Sequence, residues 1–542
     1  MALACAGGPP GVAPTASHLA VAESLYADLR DVRDHIDVSL ASGDTGITDA
    51  TSVAAWIQNH NALRKSVAAR LAAIDSAALR GDDRRALGLM RHTLERDIDT
   101  LVPPSAAAGE ATPSRPNCAY DPRAMVALPK GLDSLRARAY ACYGWAQSHV
   151  AVGTDTLDRL TILGMLGRTA DPARRRQLFL ALEPVWRSVN GDNGPASPYR
   201  VLGAEAHRQQ SGPLHSLVQV RASGVSPDSL EPWLLAMLKT WRRANPDSLI
   251  EPWDWYYRTG EASRALSRRI SRNRLTQLND LVYRSVGADV QKLRIQYDIE
   301  PREGKTPVAY TTFGARPRFI NGSWRVGEPW IFATYRTGGL DNLSELLHET
   351  GHAVHIAAIR TRPAFADWPD SDPFTEAVAD FLALEVTEPA WQQHWLGDSV
   401  PLAEGLRARY AGIVMDVAWA LLEMRMQRDP TADPNQMWTA LTRDYLRIRP
   451  HPELSWWAMR GQLVHAPGYM MNYAAGAMLI AALRTRTREL HGPFATGDSS
   501  WYGWTAPRLF RYGQGRPSRE VIEEFLGGPV SPAALLADMG RK

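Results

Sequence analysis

Apolar residues recur at steps of three and four along most of this chain, and that spacing restricts it to a largely helical fold. Because an α-helix turns about every 3.6 residues, residues spaced in this way line one face, which must pack against other helices. The first such run comprises Val21, Leu25, Leu29, Val32, Ile36 and Leu40. The pattern predicts a mainly α fold, with helices over residues 18–42, 48–79, 83–100, 128–167, 171–190, 226–244, 261–299, 341–361, 374–387, 401–428, 432–447, 468–490 and 518–539.

One short region departs from the helical pattern. Arg318 to Ile320 and Ser323 to Val326 flank the dipeptide Asn321-Gly322, and a third apolar run covers Trp330 to Tyr335. Asn-Gly between apolar segments is a strong hairpin signal, so we predict a small β-ribbon just before helix 341–361. An exposed strand edge in that position either adds a peptide as an extra strand or braces the neighbouring helices.

Composition fits one large globular protein. The chain has 542 residues, of which 45% are hydrophobic and 22% are charged, enough to bury a sizeable core. Lys and Arg total 61 against 58 Asp and Glu, and this net charge of +3 is too balanced for nucleic-acid binding. No apolar run is long enough to cross a membrane.

The most informative motif is His348-Glu349-Thr350-Gly351-His352, within helix 341–361. Residues four apart share a helix face, so His348 and His352 can both ligate one zinc ion while Glu349 reaches a water beside it. The five residues alone would also suit a surface helix. Their context favours the metal, because the flanking residues are apolar around nearly the whole helix and Asp341 is a plausible N-cap.

A catalytic zinc site needs a third protein ligand, and helix 374–387 offers one. Glu376 is the predicted ligand. Asp380 lies one turn further on, where it either accepts the free ring N–H of a ligand histidine or forms an ordinary salt bridge. If Glu376 is not the ligand, Asp380 or Glu385 is the next candidate.

HExxH followed by a glutamate on a second helix is the gluzincin arrangement. Glu376 comes 24 residues after His352, and with the sequence Glu-Ala-Val-Ala-Asp-Phe-Leu-Ala-Leu it resembles the angiotensin-converting enzyme family of dipeptidyl carboxypeptidases. Gly351 and Ala353-Val354-His355 resemble the thimet oligopeptidase family. The resemblance covers residues 335–386 and, more loosely, 456–490.

The resemblance implies an elongated helical body of two subdomains, split by a deep central channel with one zinc ion on its floor. It places a flexible tail at residues 1–17, a helical subdomain that includes a lid at 18–300, and a catalytic zinc subdomain at 301–542. These parts would form one continuous peptidase unit.

A later segment resembles the His…Gly-Tyr…Tyr sequence of thimet-type enzymes. It contains His465, Tyr469 and Tyr473, which the resemblance assigns to stabilising the oxyanion of the transition state. The related enzymes carry a further Tyr or a different spacing, whereas the position three after Tyr473 is Gly476. The choice between the two tyrosines therefore stays open, as does simple packing of these rings.

These residues predict a zinc-dependent metallopeptidase that hydrolyses short peptides. His348, His352 and Glu376 would hold Zn²⁺, and Glu349 would act as general base. The family resemblance implies release of C-terminal dipeptides, although the converting-enzyme relatives have a Lys where this chain has Leu463, so Arg460 or another residue would have to bind the substrate carboxylate. The alternatives are an endo-acting oligopeptidase of thimet type and an inactive peptide-binding protein on the same fold.

Three cysteines bear on the compartment. Cys118 and Cys142 are the pair that can bridge within the folded part, which suggests an oxidising environment. Cys5 follows Ala2-Leu3-Ala4 and precedes a Gly/Pro-rich stretch, as at the end of a lipoprotein signal, although an ordinary tail would look similar. We therefore predict an exported bacterial protein, periplasmic or tethered by lipid at Cys5, over a cytoplasmic one.

Overall fold

The computed structural model describes residues 14–42, 50–96, 115–209, 215–302, 305 and 308–541. Across these residues the fold is mainly α, as predicted, with a few short strands. Among them no helix combines the length and the apolar character needed to cross a bilayer. Cys5, with its predicted lipid tether, lies outside the described residues.

Most of the described residues before strand β3 are helical. The helices are α1 (Pro14–Ser42), α2 (Ala50–Ala72), α3 (Gly81–Arg96), α4 (Pro122–Val126), α5 (Gly131–Ser148), α6 (Arg159–Arg168), α7 (Pro172–Ala181), α8 (Glu183–Asn190), α9 (Pro198–Arg208), α10 (His215–Ala222), α11 (Pro227–Ala244), α12 (Trp255–Thr259), α13 (Glu261–Leu266) and α14 (Leu275–Ser285). Several of them start on an Asp whose side chain accepts an early backbone N–H, as Asp158 does at α6 and Asp171 at α7.

The strands form three small sheets. They are β1 (Val150–Val152), β2 (Asp155–Leu157), β3 (Gln296–Asp298), β4 (Tyr310–Ala315), β5 (Arg318–Ile320), β6 (Ser323–Arg325) and β7 (Glu328–Phe332). β7 lies between β3, which runs parallel to it, and β4, which runs antiparallel, so β4 is an edge strand. β5 and β6 form the predicted hairpin around Asn321-Gly322, and both turn residues have positive φ.

The helices after the sheet carry the candidate site. They are α15 (Leu340–Ala358), α16 (Asp372–Ala383), α17 (Pro389–Leu396), α18 (Leu402–Arg428), α19 (Pro434–Leu441), α20 (Gln462–His465), α21 (Met470–Leu490), α22 (Trp501–Thr505), α23 (Ser518–Leu526) and α24 (Ala533–Met539). The hydrophobic residues of α15, α16, α18 and α21 belong to one continuous core that also includes residues of α5 to α14. Polar groups on these helices are therefore held in a well-packed setting.

Several predicted helices were wrong in their interiors. The prediction over 128–167 is interrupted by the β1–β2 hairpin, where Gly153 adopts φ 68° in the turn. The prediction over 261–299 fails between Leu266 and Leu275, where the non-helical Ile270 and Ser271 separate α13 from α14, and again after Ser285, where Gly287 at φ 84° ends the helical path before β3 begins. The prediction over 518–539 is broken by Gly527 at φ 73°. At Gly153, Gly287 and Gly527 a glycine in the left-handed region outweighed the apolar periodicity.

The start of the motif helix also differs from the prediction. Asp341 does not cap α15, because the helix begins at Leu340 and its N-cap is Gly339, at φ 112° with no side-chain hydrogen bond. Asp341 instead lies in the first turn, where a carboxylate interacts favourably with the helix dipole. The second helix begins at Asp372 with Ser371 as its cap, two residues earlier than predicted.

Helices α1 to α3 have a hydrophobic core of their own. Among the described residues, this core also includes Ala364 and Phe365 from the loop after α15. The division into a tail at 1–17 and subdomains at 18–300 and 301–542 stays a prediction, as does the deep channel between them.

The structure joins Cys118 and Cys142 in a disulfide, with 5.8 Å between their Cα atoms. The bridge attaches the segment before α4 to the middle of α5. Disulfides are typical of oxidising compartments, and both the oxidising compartment and the exported location stay predictions.

Candidate metal centre

His348 and His352 lie one turn apart on α15 and direct their rings to the same point. The Nε2 atoms of the two rings are 3.1 Å apart. Burial lowers the pKa of His352, and the nearby His348 acts in the same direction. A neutral ring leaves Nε2 with a free lone pair, which is the form of histidine that binds a metal.

Glu376 approaches these rings from α16. Its Oε2 lies 3.4 Å from Nε2 of His348 and 3.9 Å from Nε2 of His352. One ligand atom from each of the three residues falls within 4.8 Å of the others. Two imidazoles and one carboxylate are a donor set used by catalytic zinc sites with an open fourth position, so these residues fit zinc.

Asp380 lies one turn after Glu376 and contacts the other side of the His348 ring. The distance from its Oδ1 to Nδ1 of His348 is 2.7 Å. Burial opposes the charged form of His348, but the carboxylates of Asp380 and Glu376 outweigh it and raise the pKa of this ring. Such a carboxylate holds the Nδ1–H tautomer and leaves Nε2 facing the metal position. The buried Nδ1 of His352 has no such partner among the described residues.

The crossing of α15 and α16 depends on Gly351. An added Cβ at this position would lie 2.3 Å from the carbonyl oxygen of Ala379, a contact that backbone atoms cannot relieve without moving a helix. The absence of a side chain between the two histidines therefore lets α16 bring Glu376 close enough to share their metal position.

Replacing Gly351 by alanine is expected to destabilise the protein by about 1–3 kcal/mol, because it overpacks this crossing. The expected zinc affinity also falls, since α16 must move away. Gly412 on α18 is the matched control, because a Cβ there meets nothing within 4 Å and alanine should stabilise its helix by up to about 1 kcal/mol. Urea unfolding and zinc titration measure both effects. A Gly351→Ala protein as stable as Gly412→Ala would contradict this description of the crossing.

Glu349 is buried beside the metal position and is oriented by the sheet. Thr311 on β4 lies with its hydroxyl 2.7 Å from Oε2 of Glu349 and 2.9 Å from the backbone carbonyl oxygen of the same residue. Burial raises the pKa of Glu349, and the negative charges of Glu376 and Asp380 raise it further while His348 lowers it. A raised pKa makes this carboxylate a stronger proton acceptor, as a general base requires.

Tyr469 and Tyr473 are also near this cluster. Their ring centroids are 5.4 Å apart, with one ring edge toward the other face. Burial raises the pKa of both hydroxyls, and the charge of Glu376 raises both further. Each tyrosine therefore keeps its proton and can donate a hydrogen bond. The charges of Arg460 and Glu349 also act on the Tyr473 hydroxyl.

Gly476, three residues after Tyr473, has little room for a side chain. It lies on α21 where that helix meets α16, and an added Cβ would be 3.2 Å from the carbonyl oxygen of Pro373 and 3.5 Å from Cβ of Glu376. A tyrosine in this position would push α21 away from the helix that carries Glu376.

His465 is placed differently from the other predicted residues. It is exposed at the end of α20, and its ring stacks on Tyr140 of α5 with 4.4 Å between centroids. In the part of the chain that the structure describes, no hydrogen bond or ion pair connects His465 with the metal-ligand cluster. Its predicted role in oxyanion stabilisation remains untested.

The structure removes Glu385 from the candidate ligands. This carboxylate is buried, and its Oε1 lies 2.6 Å from Arg484 and 2.5 Å from Arg488. A carboxylate neutralised by two guanidinium groups on α21 has no free charge for a metal. Glu385 instead fixes the end of α16 against α21.

Two residues near the site carry no signal in the sequence. Thr311 belongs to a strand that the apolar pattern does not predict. Asp416 on α18 accepts a hydrogen bond from Arg460, with Nη2 and Oδ1 2.8 Å apart. The Arg460 guanidinium also covers the Trp419 ring at 4.7 Å. These contacts join residues far apart in the chain, so no local spacing could indicate them.

No protein-family model matches the chain, and no curated protein gives a significant match. Solved structures do match it. One, described as "The Structure of CHT", has a TM-score of 0.55 and 14% identity and covers 96% of this chain and 98% of that chain. Another, "Crystal structure of M32 carboxypeptidase from Deinococcus radiodurans R1", has a TM-score of 0.53 and 15% identity over 96% and 97% of the two chains.

At such identities the likeness establishes a shared fold. The chain therefore shares its fold with the structure described as an M32 carboxypeptidase, matched over nearly the full length of both chains. The finer resemblance to the converting-enzyme and thimet families stays a prediction from the sequence motifs.

Proposed function

We propose that this protein is a zinc-dependent metallopeptidase that hydrolyses short peptides. The observation that carries the proposal is the convergence of His348, His352 and Glu376 on one point with Glu349 beside it. A peptidase-like fold from end to end supports it. An inactive binding protein on this fold would have no need for a complete ligand set together with a buried, oriented base.

When bound, zinc would lower the pKa of a water in its open position toward about 7 and polarise the substrate carbonyl. Side chains of the protein carry out the proton transfers. Glu349 takes the proton from the attacking water and delivers it to the leaving amine. Thr311 holds the Glu349 carboxylate in place through its hydroxyl.

Transition-state charge on the carbonyl oxygen needs a hydrogen-bond donor. Of the two tyrosines we favour Tyr473, because its hydroxyl interacts with the charges of both Glu349 and Glu376. Tyr469 is the alternative, since it interacts with Glu376 and Asp372. We also propose that the edge strand β4, whose Thr311 contacts Glu349, holds the peptide backbone as an added strand.

We further propose that cleavage occurs at the carboxyl end of the peptide. Arg460 interacts electrostatically with the Tyr473 side chain and is partly accessible, so it can bind a terminal carboxylate near the reacting bond. The likeness to a structure named as a carboxypeptidase supports the same direction of cleavage. The sequence resemblance favours release of dipeptides, and internal cleavage is the alternative.

Digestion of a synthetic peptide library by the zinc-loaded protein, read by mass spectrometry, tests this proposal. Loss of one dipeptide at a time from the C-terminus is the expected result. Loss of single residues would support cleavage at the C-terminus but show that the protein releases one amino acid and not a dipeptide. Internal fragments would favour the oligopeptidase alternative, and intact peptides would contradict the proposal.

Replacing Arg460 by glutamine tests the carboxylate site. Because Asp416 would then be left without its partner, the informative variant combines Arg460→Gln with Asp416→Asn, and Asp416→Asn alone is the control. We expect KM for peptides with a free C-terminal carboxylate to rise by about 10- to 100-fold, which corresponds to loss of a charge-assisted hydrogen bond. Peptides with an amidated C-terminus should be cleaved poorly by the wild type and change little further. An equal loss on both peptides would show that Arg460 does not bind this group.

A further inference from the structure

Glu423 is a buried carboxyl group on α18 that takes no part in the proposed chemistry. Its side chain is 5% exposed and lies on a helix whose neighbouring residues are almost all apolar. In the described part of the chain its Oε2 has no hydrogen-bond partner, and burial raises its pKa to about 8. A buried, half-satisfied polar group costs stability, so its one strong contact is informative.

That contact is with the turn before α21. The backbone N–H of Gly468 donates to Oε1 of Glu423 over 2.5 Å, and the N–H of Met470 also interacts with the carboxyl. Gly468 has φ 86°, so the chain makes a sharp turn at this point. α21 has Tyr469 as its N-cap residue, and no side chain of the segment itself caps the helix. Glu423 therefore supplies, from another helix, an acceptor for the N–H of Gly468 just before α21 and for that of Met470, its first residue.

The capped turn carries the candidate donors of the active site. Tyr469 is the N-cap residue and Tyr473 lies in the first turn of α21. One turn further, Gly476 lies against Glu376. The position of this helix start relative to α16 therefore sets how both tyrosine hydroxyls face the metal position.

We propose that Glu423 is a positioning residue: by accepting the Gly468 N–H it fixes the start of α21, and thereby aims Tyr469 and Tyr473 at the reacting carbonyl without touching the substrate. This inference rests on the proposed function. It deepens that function by naming the residue that holds the oxyanion donors in place.

Two substitutions separate this role from a general contribution to folding. Glu423→Gln keeps the shape of the side chain and an acceptor oxygen. It is also neutral, as the Glu423 carboxyl largely is at pH 7 because burial raises its pKa to about 8. Glu423→Leu removes the acceptor but fills the same apolar space, and we expect it to lower stability because the buried Gly468 N–H loses its partner. The two variants thus differ in the capping contact and little else.

We expect Glu423→Leu to bind zinc stoichiometrically and to lower kcat by about 10- to 100-fold, with KM within about threefold of the wild type, because only transition-state contacts are weakened. Glu423→Gln should retain kcat within about threefold. Wild-type kcat in Glu423→Leu, or equal losses of kcat in both variants, would overturn the proposal.

Hydrogen exchange of the metal-free proteins provides a readout without catalysis. The amides of residues 468–473 should exchange at least about tenfold faster in Glu423→Leu than in the wild type, and at the wild-type rate in Glu423→Gln. Unchanged exchange in Glu423→Leu would overturn the positioning role. If exchange behaves as expected while the wild type cleaves no peptide, the proposed function fails and the role of Glu423 in ordering this turn stands. If Glu423→Leu does not fold, Glu423→Met provides the same comparison with a more adaptable side chain.

Discussion

Replacing Glu349 by glutamine is expected to lower kcat by about 10²- to 10⁴-fold, the range that a positioned general base contributes. Glutamine keeps the size of the side chain and an oxygen that can still accept the Thr311 hydroxyl, so the local geometry is preserved. It cannot take a proton from water, however. Steady-state kinetics on a short peptide, together with zinc content by plasma mass spectrometry, measures the two effects separately.

Glu345→Gln is the matched control for this substitution. Glu345 lies one turn earlier on the same face of α15, and it is not one of the residues that converge on the metal position. We therefore expect a change in kcat of no more than a few fold. Zinc should remain bound in both variants. Full turnover by Glu349→Gln would show that another group accepts the proton.

Replacing Glu376 by alanine is expected to have an equally large effect on metal binding. Only His348 and His352 would remain as protein ligands, and two ligands do not hold a catalytic zinc ion firmly. Because loss of an outer carboxylate already weakens metal binding by about 10- to 100-fold, loss of a direct ligand should exceed that range. Competition with a chromophoric chelator gives the dissociation constant for zinc.

Asp380→Asn provides the graded comparison. Asp380 contacts Nδ1 of His348 and not the metal position. The zinc affinity of the Asp380→Asn protein should therefore fall by about 10- to 100-fold. The predicted order of zinc affinity is wild type, then Asp380→Asn, then Glu376→Ala. Wild-type zinc affinity in Glu376→Ala would require another ligand, and Glu385 cannot serve because Arg484 and Arg488 already neutralise it.

The sequence was most informative where the chemistry depends on local spacing. His348 and His352 lie on one face because any helix places residues four apart together, and the same rule puts Glu376 and Asp380 on one face of α16. That α15 and α16 cross closely could be inferred from the family resemblance. The physical reason, the missing Cβ of Gly351 against Ala379, becomes visible only in three dimensions.

The parts that sequence reasoning missed depend on contacts between distant segments. Thr311 reaches Glu349 across 38 positions of the chain, and Glu423 reaches Gly468 across 45. Short strands such as β3 and β4 lack a clear alternating pattern, because their burial comes from neighbouring elements. The stacking of the His465 ring on Tyr140 is another contact between distant segments that the motif does not indicate, and the predicted role of His465 stays a prediction.

The central claim is that His348, His352 and Glu376 hold one zinc ion beside Glu349. Anomalous diffraction from a crystal of the zinc-loaded protein, recorded on both sides of the zinc absorption edge, tests it most directly. The account predicts a single zinc peak about 2.0–2.2 Å from the two Nε2 atoms and a carboxylate oxygen of Glu376. A peak held by other residues, or no peak between α15 and α16 at saturating zinc, would contradict it.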